Sequence, residues 1–196
     1  SSIIQGLIIF LKLLYMKKNL AVVLPLFISL TIWAELPEMV IAEEKIPAGI
    51  NFVFEGAIKD DVYPGYEFGL EEESDIHIEV LANWNENAPS GSPNRGFVAY
   101  LRVNALITNQ TTKEVKSIQL RPHVNLSDNF HYALNTKLPG KRSDLYTVKF
   151  TIQPPEINVV GIHFDWKRDI GSILPSVFSF QYEDLNFNEI ANSSRR

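Results

Sequence analysis

All four histidines of this chain lie in short β-rich segments: Asp75-Ile76-His77-Ile78-Glu79, Leu120-Arg121-Pro122-His123, Asn129-Phe130-His131-Tyr132 and Gly161-Ile162-His163-Phe164-Asp165. Neutral imidazole offers a nitrogen lone pair near physiological pH, so metal binding is the first chemistry these residues suggest. The chain has no cysteine, and its methionines are Met16 and Met39. Any transition-metal site must then be built from imidazole and carboxylate.

Side-chain alternation says which way the candidates point. In Ile76-His77-Ile78-Glu79-Val80 the apolar residues share one face of an extended segment, which puts His77 and Glu79 together on the other. His123 shares parity with Gln119 and Arg121, opposite Ile118 and Leu120. His131 opposes Phe130 and Tyr132, and His163 shares a face with Asp165 against Ile162 and Phe164. All four imidazoles are therefore expected to face away from the core. A scattered set of solvated surface histidines is the bland alternative.

The elements that must position them are strands. Apolar alternation or β-rich runs recur at 36–48, 50–58, 74–83, 97–109, 114–122, 130–136, 144–153, 157–164 and 174–183, divided by turn signals such as Pro64-Gly65, Asn109-Gln110, Pro139-Gly140 and Pro154-Pro155. No stretch after residue 35 sustains a helical period. Strands at this spacing with Gly, Pro and Asn turns predict an all-β domain, read here as an immunoglobulin-like β-sandwich with a barrel as the lesser option.

Residues 1–34 read as upstream residues plus a signal peptide. Met16-Lys17-Lys18 is a charged start, and the apolar run from Leu20 to Trp33 precedes a cleavage point near Ala34. Residues 35–196 are then a single β-sandwich metal-binding domain, expected to be soluble and periplasmic. Fifteen basic side chains remain there against 23 acidic ones, a net charge of −8. This argues against nucleic acid as a partner and suits attraction of cations. With no disulfide available, stability must come from packing.

Taken in order, the segments resemble a family. His77-Ile78-Glu79, Gly96-Phe97-Val98-Ala99-Tyr100-Leu101, Leu120-Arg121-Pro122-His123, Asp128-Asn129-Phe130-His131-Tyr132 and His163-Phe164-Asp165 look like the periplasmic high-affinity iron-transport proteins of bacteria. The likeness covers about residues 48–184. It implies a dimeric immunoglobulin-like sandwich that binds copper and works beside an inner-membrane iron permease.

Residue by residue, the resemblance implies that His77, His131 and His163 are imidazole ligands, with Glu79 an adjacent carboxylate and Asp128 an outer one. The family usually has Leu-Met-Pro-Met where this chain has Leu120-Arg121-Pro122-His123, so His123 takes the place of a thioether. Imidazole suits Cu(II) and Zn(II), whereas a thioether favours Cu(I). The expected metal set is His77, Glu79, His123, Asp128, His131 and His163. Copper is the leading ion, with iron, zinc and manganese as further candidates. Proton competition at the imidazoles predicts affinity falling as pH drops through about 6.5.

The leading functional reading is a periplasmic copper-binding protein that assists high-affinity iron uptake, a homodimer partnered by the iron permease and by metal ions. No phosphate loop, nucleophile elbow or cysteine nucleophile calls for catalysis, and the reading is of a protein that is not an enzyme. The alternatives are a copper- or zinc-dependent redox enzyme and a metal-independent adhesive or carbohydrate-binding sandwich.

Overall fold

The computed structural model describes residues 37–195. The predicted leader lies outside the described residues. Eight strands form: β1 (Glu38–Ile46), β2 (Ile50–Ala57), β3 (Ile76–Trp84), β4 (Arg102–Asn109), β5 (Val115–Asn125), β6 (Asn129–Thr136), β7 (Leu145–Gln153) and β8 (Phe178–Asn186). The ladder runs β1-β2-β3-β6-β5-β4-β7-β8, and each pairing is antiparallel.

One strand serves both halves of the ladder. Val115–Leu120 of β5 pair with β4, and Arg121–Asn125 pair with β6. The sheet folds over at this point, so its two halves face each other. Phe54 on β2 lies 4.6 Å from Phe150 on β7 and 5.3 Å from Phe180 on β8, ring centre to ring centre. Tyr182 Oη donates to Glu44 Oε1 at 3.1 Å, which draws the outer strands β8 and β1 together. The result is an all-β, nearly closed barrel or sandwich.

Alternation explains the core. Ile76, Ile78 and Val80 of β3, Phe52 and Phe54 of β2, and Val148, Phe150 and Ile152 of β7 are fully buried between the halves. Burying a side chain of this size contributes roughly 1.5–3 kcal/mol. Tyr132 brings a polar atom inside and satisfies it: its hydroxyl donates to Val98 O at 2.7 Å and accepts from Leu101 N at 2.9 Å.

The predicted strand at 157–164 does not form. Its apolar residues alternate with nothing to cover them: Ile157 is 89 % exposed and Phe164 77 %. Asn158 has a positive φ of 74°, and Val159 N closes a turn onto Glu156 O at 3.2 Å. Pro154-Pro155 ends β7 just before, so β-rich composition here has no ladder to join. Helices are short: α1 (Gly65–Phe68), α2 (Phe164–Asp169) and α3 (Asn188–Asn192). Among the described residues no helix is long and apolar enough to cross a membrane.

Candidate metal centre

The outer face of the β3-β6-β5 sheet carries the histidines, and it is not open to solvent. His77 is 4 % exposed, Glu79 2 %, His131 2 % and His123 8 %. The cover is the segment between β2 and β3, which carries α1. Phe68 meets the edge of the His123 ring at 4.7 Å, and the Arg121 guanidinium lies 5.2 Å from the Phe68 ring while pairing with Glu67. Gly69 crosses the sheet with a φ of +84°, and a Cβ there would come within 2.4 Å of Asn135 O. Any other residue would push the cover off the site.

Register brings the ligands together. His123 and His131 are direct partners across β5 and β6, and their rings are nearly parallel with centres 5.8 Å apart. His77 reaches the same space from β3, 5.2 Å from His123 and 6.3 Å from His131. One ligand atom from each of His77, Glu79 and His131 lies within 4.8 Å of the others.

Each ring is held by its other nitrogen. Nδ1 of His123 lies 2.9 Å from Arg121 O, and Nδ1 of His131 lies 3.1 Å from Asn129 O. A carbonyl can only accept, so both Nδ1 atoms carry the proton and both Nε2 atoms present a lone pair. His77 Nδ1 lies 2.8 Å from Asn135 Oδ1. Asn135 Nδ2 donates to Asp60 O at 2.6 Å and Gly69 O at 2.9 Å, which turns its oxygen to His77 and makes that Nδ1 a donor as well.

Burial sets the charges. It pushes the His77 pKa down to about 3 and lowers those of His123 and His131. Burial, helped by the charges of Asp128, Glu55 and Glu38, lifts Glu79 to about 8. The imidazoles are thus already neutral at physiological pH. The proton that a metal must displace sits on Glu79, not on the histidines, so the pH dependence expected from ordinary imidazoles near 6.5 moves to the alkaline side.

The residues fit a cation. Glu79 Oε2 and His123 Nε2 are buried without a hydrogen-bond partner, and a buried unsatisfied acceptor costs about 1–3 kcal/mol. An ion held by His77, Glu79 and His131 would satisfy the carboxylate oxygen, while His123 falls outside the group whose ligand atoms lie within 4.8 Å and lines the same cavity. Three imidazole nitrogens and one carboxylate oxygen suit borderline ions such as Cu(II) and Zn(II). The site faces a cavity of ≈ 260 Å³ lined also by Asp60, Tyr63, Phe68 and Arg195.

His163 and Asp128 are not part of this cluster. His163 is exposed at the start of α2 and lines a second cavity of ≈ 440 Å³ with Trp84, Tyr100 and Trp166. Trp84 lies seven residues from His77 on β3, roughly 23 Å along the strand. The Asp128 carboxylate closes the β5–β6 turn, accepting from Asn125 Nδ2 at 2.7 Å and Ser127 Oγ at 2.8 Å. From there it acts through charge, favouring protonation of Glu79 and of His131.

Three residues escaped the sequence reading. Glu55 is 8 % exposed and pairs in register with Glu79; burial raises its pKa to about 7. Its signal was available, because a carboxylate inside the run Phe52-Val53-Phe54-Glu55-Gly56 is out of place on composition. Asn135 offered only its parity with His131, and Arg195, far away in sequence, offered no signal.

Comparison with known proteins agrees with this fold. A UPF0423 protein of Brucella abortus is 25 % identical over 159 residues, covering 79 % of this chain and 85 % of its own. The crystal structure of FetP from uropathogenic Escherichia coli superposes with a TM-score of 0.63 at 20 % identity, over 76 % of this chain and 96 % of that one. A copper-bound variant of Campylobacter jejuni P19 gives 0.64 at 23 %, over 76 % and 96 %. The model of the Fe2+ transport protein family matches residues 35–188, and the chain belongs to that family.

Proposed function

We propose that the protein is a periplasmic copper-binding protein that assists high-affinity iron uptake beside an inner-membrane iron permease. It acts by binding and delivery, not by catalysis. One observation carries the reading. His123 Nε2 is a buried acceptor without a partner and Glu79 Oε2 faces His131 Nε2 at 3.4 Å, in a cage whose other imidazoles already turn Nε2 inward. Family membership ties the chain to iron transport, and the copper in the P19 structure supports copper as the ion.

His77, Glu79, His123 and His131 hold the ion, with Asp128 as an outer charge. His163 lies away from them in the single chain, so it joins the site only from a second copy, in a homodimer. The ladder supports an immunoglobulin-like reading of the fold: β2-β3-β6-β5 packs against β4-β7-β8 in the A-B-E-D and C-F-G order of such sandwiches, with β1 added at one edge.

The test is elemental analysis of protein purified from the periplasm, paired with growth on limiting iron. One equivalent or more of copper per chain, and an iron-dependent growth defect on deletion, are expected. Metal-free protein that takes up no copper on titration overturns the reading. Turnover of ferrous ion or superoxide by the loaded protein would instead make it a redox enzyme.

A further inference from the structure

Arg195 follows α3 and lies beyond residue 188, where the family match ends. Its side chain nonetheless returns to the histidine cavity and lines it with His77, Glu79 and His123. Nη1 sits 3.4 Å from Asp60 Oδ2, with the side chain 28 % exposed, and Nε is buried without a hydrogen-bond partner. The anchoring loop is joined to a ligand, because Asn135 binds Asp60 O through Nδ2 and His77 Nδ1 through Oδ1.

A guanidinium and a divalent metal answer the same negative potential, from the carboxylates of Asp60 and Asp61 that line the cavity. An ion inside the cage satisfies that potential at closer range and with greater charge. It also repels Arg195, which then keeps only a partly exposed ion pair worth little by itself. We propose that Arg195 is a built-in counter-cation of the metal-free site, and that a bound divalent metal expels it and frees the segment after α3 from the cavity. The proposal rests on the metal-binding reading of the cage. Through this device the chain reports metal occupancy on its surface and holds its affinity below that of the bare ligand set.

Competition titrations of the full chain with Cu(II) and with Zn(II), comparing the unaltered protein with Arg195→Gln and Arg195→Lys, test it. Arg195→Gln should bind on the order of tenfold tighter at low ionic strength, a typical size for such coupling. The gap should narrow as salt screens the repulsion, and Arg195→Lys should stay near the unaltered protein. Zn(II) loading should also speed amide exchange of Ser193–Arg195. Equal or weaker binding by Arg195→Gln, or slower exchange on loading, overturns the role of Arg195 while leaving the metal site standing. If none of the three proteins takes up either metal, the metal-binding reading fails and this proposal fails with it.

Discussion

Glu79 Oε2 and His131 Nε2 lie 3.4 Å apart, while the imidazole's proton is committed on the opposite side to the Asn129 carbonyl. Two lone pairs therefore face each other inside the sheet cover, and a positive centre must sit between them or beside them. In the metal-free protein that centre is the proton retained by Glu79, whose pKa burial raises to about 8. A metal ion takes the proton's place.

Metal uptake at pH 7 should therefore release about one proton per site, and affinity should rise as pH climbs toward about 8 before levelling. Calorimetry in buffers of different ionisation enthalpy measures the proton count. Glu79→Gln should abolish the release and the alkaline rise together. A midpoint that stays near 6.5 would return the competition to the histidines.

Ligand substitutions should separate by position. His77→Ala and His131→Ala are expected to weaken Cu(II) binding by about a hundredfold or more, since each removes a nitrogen and leaves the remaining acceptors unmatched. His123→Met should shift preference toward Cu(I), because a thioether is the softer donor. Titration against chelators selective for Cu(I) and Cu(II) reads both effects. His163→Ala should leave affinity unchanged in dilute monomer and lower it only where a dimer forms, as sedimentation and titration on the same samples would show.

Asn135 is expected to matter although it never touches the ion. Asn135→Ala frees the His77 ring and cuts the covering loop from β6, so metal affinity should drop roughly 10- to 100-fold, as with other residues that orient a ligand. Stability should fall by about 1–3 kcal/mol from the unpaired carbonyls of Asp60 and Gly69. Denaturant unfolding and metal titration on the same variant check the pair. Asn135→Asp should not rescue, because the carboxylate cannot donate to those carbonyls.

Metal-free stability should depend on pH in two directions. Glu55 and Glu79 have native pKa values raised to about 7 and about 8, so their contribution is complete below about 4.5 and is lost as pH rises through those values. The buried histidines have lowered values, so theirs is complete above about 6.5 and is lost as pH falls. Between pH 6.5 and 8 the carboxylates act alone, and the metal-free protein should lose about 2–3 kcal/mol. Thermal scans should show the melting point falling several degrees over that interval without metal, and a much flatter profile with it.

Much of the site was legible because strand parity is rigid. Alternation in Ile76-His77-Ile78-Glu79 put both candidate ligands on one face, and the structure brings one ligand atom of each within 4.8 Å of the other. The all-β class followed from turn spacing for the same reason. The cover was not legible. That the outer face is buried depends on Gly69, Phe68 and Arg195, none of which has a period. Nor was the failure at 157–164, where composition favoured a strand but β7 had already ended at Gln153 and no neighbouring edge was offered.

The double membership of β5 fixes when the site can exist. His77 is separated from His123 and His131 by long stretches of chain, and the three meet only after β3 has found β6 and β5 has turned from one half of the ladder to the other. Non-local pairings of this kind form late and slowly. The phenylalanine-rich interior between the halves closes without help from the imidazoles, since its side chains lie on the opposite face of the strands. Metal is thus a latecomer and not a folding nucleus: an emerging chain offers no preassembled trap for stray ions, and the finished cage meets its first ion at the mouth of a protein that has already folded.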